Sequence, residues 1–364
     1  MKISIFKRVI TVYLIIGGIF KKWIAPLFLL PFVFLLRLFI FLFMIIDNIF
    51  YFNLSKKVID KPIIIVGNPR SGTTFLQRFL VKNGFGRGSQ LWQMIYPSII
   101  LQKLLKPFLP LLELVSPAKH HSTDAHKTSL TSVETDDVGI LFRFFDGFFL
   151  YGFFLSWSKK DLFNWVDPKL RDNSKRDYDW LESVWKRILV NSENDRIVAK
   201  LFSVSANCPK FQERYPDSKL LYMVRNPIDV IPSGLSLVTG VLDKKFGFWD
   251  KPKIDRDRFI NNLYKGLVEL LLRFENDWSN NKVNKNNIMI VNFESMMLDF
   301  ESLMNDIIVF TNHKKTEELH SAVKITSEKQ KKYKSKHKYD LSKFGLTKKK
   351  IEKDCKKYYE TFIN

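Results

Sequence analysis

Apolar positions along this chain follow two rhythms. Residues 1–58 are apolar almost throughout, in two stretches, Val9–Phe20 and Trp23–Ile46, separated by Lys21-Lys22. Beyond them, short runs rich in Ile, Val and Leu recur at Ile63–Val66, Ile197–Phe202, Leu220–Val224 and Ile288–Phe293. Longer stretches with helical spacing lie between: Phe75–Lys82, Trp180–Val190, Asp257–Trp278 and Ser302–Phe310. Short continuous apolar runs read as strands buried on both faces, and their alternation with helices predicts a parallel sheet flanked by helices. Leu91–Val115 is apolar but interrupted by prolines, as in helical loops that cover a site. Val138–Trp157 is crowded with phenylalanine, including Phe142, Phe145, Phe148 and Phe154. Helical spacing suits a buried helix there; the sharper reading is an apolar acceptor channel or a membrane-facing surface.

The N-terminal stretches bear on a membrane. Val9–Phe20 is too short to span, whereas Trp23–Ile46 is long enough but carries Arg37 and is broken near its start by Pro26 and Pro31. No small-residue cleavage site follows a short apolar core, which argues against a signal peptide. Lysines stand on both sides, so the positive-inside rule gives no orientation. A re-entrant hairpin or interfacial helices fit as well as a span, and a core helix packed on the domain is the alternative. Residues 1–58 are expected to associate with membrane, and residues 59–364 to form the catalytic domain.

The first short strand runs into Gly67-Asn-Pro-Arg-Ser-Gly-Thr-Thr-Phe-Leu76. Gly67 and Gly72 have the spacing of a P-loop, but Thr73 stands where a nucleoside-triphosphate loop needs its lysine. A kinase or NTPase needs that lysine at the β- and γ-phosphates, so its absence argues against ATP or GTP chemistry. What remains is a cradle for one phosphate: Gly72 for close approach, a helix start near Thr73, and donors on Arg70, Ser71, Thr73 and Thr74. A second block, Arg225-Asn-Pro-Ile-Asp-Val-Ile-Pro-Ser233, follows the strand Lys219–Val224. Taken alone, Arg225 reads as a solvated strand-end arginine.

Together these residues resemble the sulfotransferases that use 3′-phosphoadenosine 5′-phosphosulfate (PAPS), in motif the tyrosylprotein-type enzymes. The family's 5′-phosphosulfate loop reads P-[RK]-S-G-T-T-x-L, which Pro69–Leu76 fits throughout; its 3′-phosphate site, R-x-P-x5-S, is reproduced by Arg225, Pro227 and Ser233. The resemblance implies a P-loop-like three-layer α/β fold with a central parallel sheet, plus the N-terminal hydrophobic helical segment. It implies cofactor contacts by Arg70, Ser71, Gly72, Thr73, Thr74, Arg225 and Ser233, with PAPS as co-substrate. An arginine fork and a hydroxyl suit the extra charge of a 3′-phosphate. Asn292-Phe-Glu-Ser-Met296 resembles the family's V-x-Y-E-D-L strand end, usually structural. Tyr339-Asp-Leu-Ser-Lys-Phe-Gly-Leu346, with His337 before it, resembles a C-terminal segment of bacterial members.

The resemblance also implies roles. Lys200, at the end of Ile197–Phe202, would stabilise charge on the leaving phosphate, although the proline that often follows it in the family is missing; a snorkelling strand-end lysine is the alternative. The stretch His126 to Asp137 offers the general base, Glu134 first and His126 second, a carboxylate needing burial or Asp136 and Asp137 to raise its pKa. An acidic helix start explains Asp136 and Asp137 equally well.

The net charge of +21 calls for anionic company. Nucleotide phosphates and lipid headgroups supply it; lysines spread along the chain, basic only in the tail at Lys329–Lys338 and Lys348–Lys350, argue against nucleic acid. Two cysteines and histidines without i, i+4 spacing predict no metal. The absent disulfide framework and a lone glycosylation triplet, Asn53-Leu-Ser55, favour a cytoplasmic catalytic domain at a bacterial inner membrane over a luminal Golgi enzyme. The expected activity is O-sulfation of a hydroxyl acceptor, a lipid, glycan or small amphiphile. A P-loop kinase or NTPase and a non-catalytic membrane scaffold are the rivals.

Overall fold

The structure, a computed structural model, describes residues 3–116, 128–190, 192, 196–332 and 340–364. His126, His337 and Tyr339 fall outside the described residues. The chain divides into two contact units. One comprises Met1–Ile59, Ser89–Asp195 and Leu237–Gly266; the other comprises Asp60–Gly88, Arg196–Ser236 and Leu267–Asn364.

The second unit holds the sheet. Four strands, β1 (Ile63–Val66), β2 (Val198–Lys200), β3 (Lys219–Val224) and β4 (Ile288–Asn292), lie in the order β2-β1-β3-β4. All three pairings are parallel, with Ile65 opposite both Lys200 and Leu221. Every residue of β1 and β2 is buried, which is why both read as unbroken apolar runs except for Lys200. Helix α3 (Thr73–Lys82) follows β1 and packs Leu76, Phe79 and Leu80 into the core with Ile63, Leu221, Val291 and Phe300. It starts at Thr73, as the phosphate turn predicts and two residues before the apolar stretch that begins at Phe75, because Gly72 turns left-handed at φ +86° and opens the helix directly. β2 is shorter than the predicted Ile197–Phe202: after Leu201 donates to the Ile65 carbonyl, Phe202–Ala206 coils into a 3-10 turn.

The first unit is helical. α1 (Ile5–Phe20) is capped by Ser4, whose hydroxyl accepts from the Lys7 amide. Lys21 closes it in the left-handed conformation, and α2 (Ile24–Phe50) begins at once. The prolines do not break α2: Pro26 occupies the first turn and Pro31 lies inside a helix that continues, since a proline there forfeits one backbone bond. At the far end the buried Asp47 carboxylate accepts from Ser98 Oγ, the Ile99 and Ile100 amides and Arg187 Nε, all within 3.0 Å. It thereby caps the helix Ile99–Leu105.

The phenylalanine-rich stretch is two helices, Asp137–Phe144 and Phe148–Phe153, separated by left-handed Phe145 and by Gly147. Phe145, Phe148 and Phe154 pack against Leu150, Tyr151 and Leu155, so much of the stretch is core. Asp146, at the break, gathers three arginines. Arg171 binds both its oxygens at 2.8 and 2.7 Å, Arg176 reaches it at 2.9 Å, and Arg8 of α1 at 3.6 Å. Burial alone would raise the Asp146 carboxyl; the Arg171 hydrogen bonds and the charges of all three arginines outweigh it and hold the carboxyl below the usual range.

Candidate active site

The strand order places a topological switch between β1 and β3: the connection from β1 leads to β2 on one side, and that from β3 leads to β4 on the other. Ligands in open parallel sheets bind outside the carboxyl ends of the strands at such a point. Both phosphate motifs begin there, one after Val66 and the other after Val224.

Within the second unit the two motifs meet. Arg70 Nε donates to Ser233 Oγ at 3.0 Å, and Arg225 Nη1 donates to the Arg70 carbonyl at 2.9 Å. Arg70 has φ +78°, a left-handed conformation that costs a side-chain-bearing residue roughly 1–2 kcal/mol. The Arg225 bond and the Ser233 bond hold it there, at a place where the chain tolerates strain to aim a guanidinium. The Arg225 guanidinium lies 4.0 Å over the Phe293 ring. Lys200 extends from the end of β2, almost fully buried, and its Nζ donates to Thr74 Oγ1 at 2.7 Å.

The loop fits a phosphate. Gly67 (φ +131°) lies so close to β3 that a Cβ would meet the Met223 carbonyl at 2.8 Å, and at Gly72 a Cβ would come within 2.4 Å of Met296 Cε. The N-cap Gly72 offers α3 no side-chain cap, and an uncapped helix start suits an anion. Ser71 and Thr73 are nearly buried. Asn68, fully buried, donates to the Leu267 carbonyl, while its Oδ1 has no hydrogen-bond partner among the described residues. A buried amide oxygen left in that state costs about 1–3 kcal/mol, and a donor brought by a ligand or water would recover it.

Arg70, Ser71, Gly72, Thr73, Thr74, Lys200, Arg225 and Ser233 all belong to the second unit. Glu134 belongs to the first, where it is buried and its amide donates to the Ser89 carbonyl. Asp136 is committed to structure: its Oδ1 accepts from Ser89 Oγ at 2.6 Å and Trp185 Nε1 at 2.9 Å. Asp137 accepts from Thr135 Oγ1 and opens the following helix. Among the described residues no group of His, Cys, Asp and Glu is arranged to hold a metal.

Several contributors were not singled out in the sequence. Phe293, read as part of a structural strand end, supports Arg225 from below. Tyr359, in the C-terminal helix Lys356–Phe362, donates to Asn226 Oδ1 at 2.6 Å. That oxygen also accepts the Ile228 amide and so shapes the turn carrying Arg225. Burial pushes the Tyr359 hydroxyl up to about 12, so it stays a donor. A polar residue directly after the strand glycine was the available signal for Asn68; nothing local marks Tyr359.

Comparison with known proteins agrees with this fold. The sulfotransferase family profile matches residues 62–317, which takes in both phosphate motifs. Among solved structures, the fold is similar to sulfotransferase STF1 from Mycobacterium tuberculosis, with a TM-score of 0.70 and 17% identity over 96% of this chain and 90% of that one. It is also similar to sulfotransferase STF9 from Mycobacterium avium, with a TM-score of 0.68 and 16% identity over 88% of this chain and 81% of the other. No curated protein matches the sequence. At such identities the structural likeness speaks to fold alone, and the family match decides the matter: the chain belongs to the sulfotransferase family.

Proposed function

We propose that the protein is a PAPS-dependent O-sulfotransferase, converting a hydroxyl acceptor to its sulfate ester and releasing 3′,5′-adenosine bisphosphate. The observation that carries this reading is the Arg70–Ser233–Arg225 junction, which joins the 5′- and 3′-phosphate motifs at the switch point. A nucleotide with phosphates at both ends of its ribose needs two anion sites that close together. A triphosphate nucleotide needs a loop lysine instead, and position 73 is threonine.

The co-substrate supplies an activated sulfuryl group. In the transfer, an S–O bond to the acceptor oxygen forms as the bond from sulfur to the bridging oxygen breaks, and the bisphosphate leaves with that electron pair. This chain's residues would do three things. The α3 N-terminus, Arg70, Ser71, Thr73 and Thr74 hold the 5′-phosphate, while Arg225 and Ser233 hold the 3′-phosphate. Lys200 neutralises charge growing on the leaving oxygen; its bond to Thr74 already aims it at the loop. Glu134, or His126 after it, takes the acceptor proton. The acceptor is a lipid, glycan or small amphiphile, and the catalytic domain works on the cytoplasmic side of a bacterial inner membrane.

Calorimetry of the detergent-solubilised full chain without Mg2+ tests the reading. Bisphosphate should bind with micromolar affinity, ADP much more weakly, and Arg225→Ala should abolish the preference. Binding of ADP that appears only with Mg2+ would return the kinase or NTPase. No nucleotide binding at all would favour the scaffold.

A further inference from the structure

α2 is long and apolar enough to cross a membrane. Its 27 residues make a rod about 40 Å long. What precedes and follows it, however, is fixed to one and the same unit.

On the near side α1 is docked along its length. Arg8, buried, donates to the Phe144 and Phe145 carbonyls and pairs with Asp146. Val12 enters the cluster of Leu150 and Tyr151. At its last residue, Phe20 stacks on Phe246 at 4.6 Å and meets Trp157 edge-on at 5.2 Å. The turn Lys21-Lys22-Trp23 then starts α2, with Trp23 folded back against Tyr13. On the far side, Ile40 and Met44 pack with Leu101, and Asp47 is clamped by Arg187 and the helix it caps. Every one of these partners belongs to the first unit.

A helix that crosses a bilayer puts its flanks on opposite faces of about 30 Å of hydrocarbon. One body cannot grip both flanks in that arrangement. Yet the stretch between the grips is largely open: of residues 24–39 only Pro26 is buried, one stripe of Leu30, Val33, Leu36 and Arg37 is half-buried, and Phe28 and Phe34 are 76% and 67% exposed. Exposed apolar side chains point around the circumference (Leu27, Phe28 and Leu29 are consecutive), which needs an apolar medium on more than one side. The helices Ile99–Leu105 and Leu109–Val115 extend the apolar surface with exposed Leu104, Leu111 and Leu114. No carboxylate occurs between Ile3 and Asp47, while Lys7, Lys21, Lys22, Lys56, Lys103 and Lys106 are exposed. That charge complements anionic headgroups.

We propose that α2 is a monotopic anchor, lying lengthwise within a single leaflet of an anionic phospholipid bilayer with both of its ends on the protein's side. Its helical backbone satisfies its own hydrogen bonds in hydrocarbon, so it can sink below headgroup level without crossing. The inference stands independently of the sulfotransfer reading, because it uses only α1, α2 and their docking partners.

The full chain, expressed in a bacterial host, tests it through single added cysteines; the native Cys208 and Cys355 are buried. Lys22→Cys and Lys56→Cys flank the anchor, and Lys160→Cys marks the body of the same unit. A membrane-impermeant maleimide should label all three in one sealed preparation, inverted vesicles or spheroplasts, and none in the other. Labelling of the two flanking sites from opposite sides would overturn the proposal in favour of a span. Depth is the second measurement, with probes at Phe28→Cys and Leu42→Cys quenched by lipids brominated at defined acyl carbons in vesicles of phosphatidylcholine and phosphatidylglycerol. Equal depths are expected; a steady deepening from one probe to the other would mean an inserted or re-entrant helix. If the protein fails to bind such vesicles and elutes as a dimer, a second copy covers the face and the proposal falls. Leu35→Glu, at an exposed position, should lower vesicle partition at least tenfold.

Discussion

Each unit gathers three cationic side chains, and they are used in opposite ways. Around Asp146, Arg8, Arg171 and Arg176 converge on a carboxylate that the chain itself provides. At the phosphate loop, Arg70, Arg225 and Lys200 reach a serine hydroxyl, a backbone carbonyl and a threonine hydroxyl. The first arrangement is complete as folded and fastens α1 to the break between two helices. In the second, the bonds described go to two hydroxyls and a backbone carbonyl. Clustered cations are therefore not in themselves a sign of a binding site; the nature of what they touch separates a rivet from a receptor.

The contrast can be broken by mutation, and the largest effect is expected at the rivet. Asp146→Ala leaves three arginines converging without their carboxylate and should destabilise the fold by about 3–5 kcal/mol, read as a large fall in Tm. If stability hardly changes, the cluster is not the fastening it looks like. At the receptor, Arg225→Ala should weaken bisphosphate binding about 100-fold, near 2.7 kcal/mol, with little change in Tm. Ser233→Ala removes the Arg70 bond and should cost about tenfold, again seen by calorimetry rather than by melting. Lys200→Ala should lower kcat much more than it weakens nucleotide binding, since its proposed role is confined to the transition state. An equal loss in both would mean that Lys200 merely holds the ground state.

A further test sharpens the comparison through pH. Burial pushes the Asp177 carboxyl up to about 6 from its ordinary 3.8, against the opposing pull of Arg176. The folded protein thus holds a proton that the unfolded chain has already released. Stability from this group is greatest below its ordinary value and falls as pH climbs toward about 6, by up to about 3 kcal/mol. Asp146 has the opposite sign: its contribution is lost as pH falls below the ordinary carboxylate range. In a series of melts, Asp177→Asn should therefore flatten the slope between pH 4 and 6 and leave acid unfolding in place.

The two regions also differ in how much the sequence discloses. The loop and the parallel sheet were legible because their chemistry is local: glycines at fixed spacing, adjacent donors, apolar runs ending in charge. The contact of Arg70 with Ser233 was not legible, because the motifs assign the two residues to different phosphates. The rivet was not legible, since Arg8, Asp146, Arg171 and Arg176 are scattered and each looks like an ordinary surface residue. Phe293 and Tyr359 escaped for the same reason, as supports that act from another part of the chain. The prolines of α2 misled in a different way: proline weakens a helix by one bond, and surrounding residues with strong helical spacing carry it through.

The sheet's connectivity has a consequence for how the protein is made. β1 finds its partner Val198 only about 135 residues after Ile63 has been synthesised, and β4 comes later still. At roughly 5–20 residues per second, the ribosome leaves an entirely apolar strand without neighbours for some 7–27 seconds. During that wait the nascent chain offers two unpaired edges to any other strand in reach. Production of this protein should therefore depend on chaperone capacity, and elongation pauses before residue 198 should raise the fraction lost to aggregates.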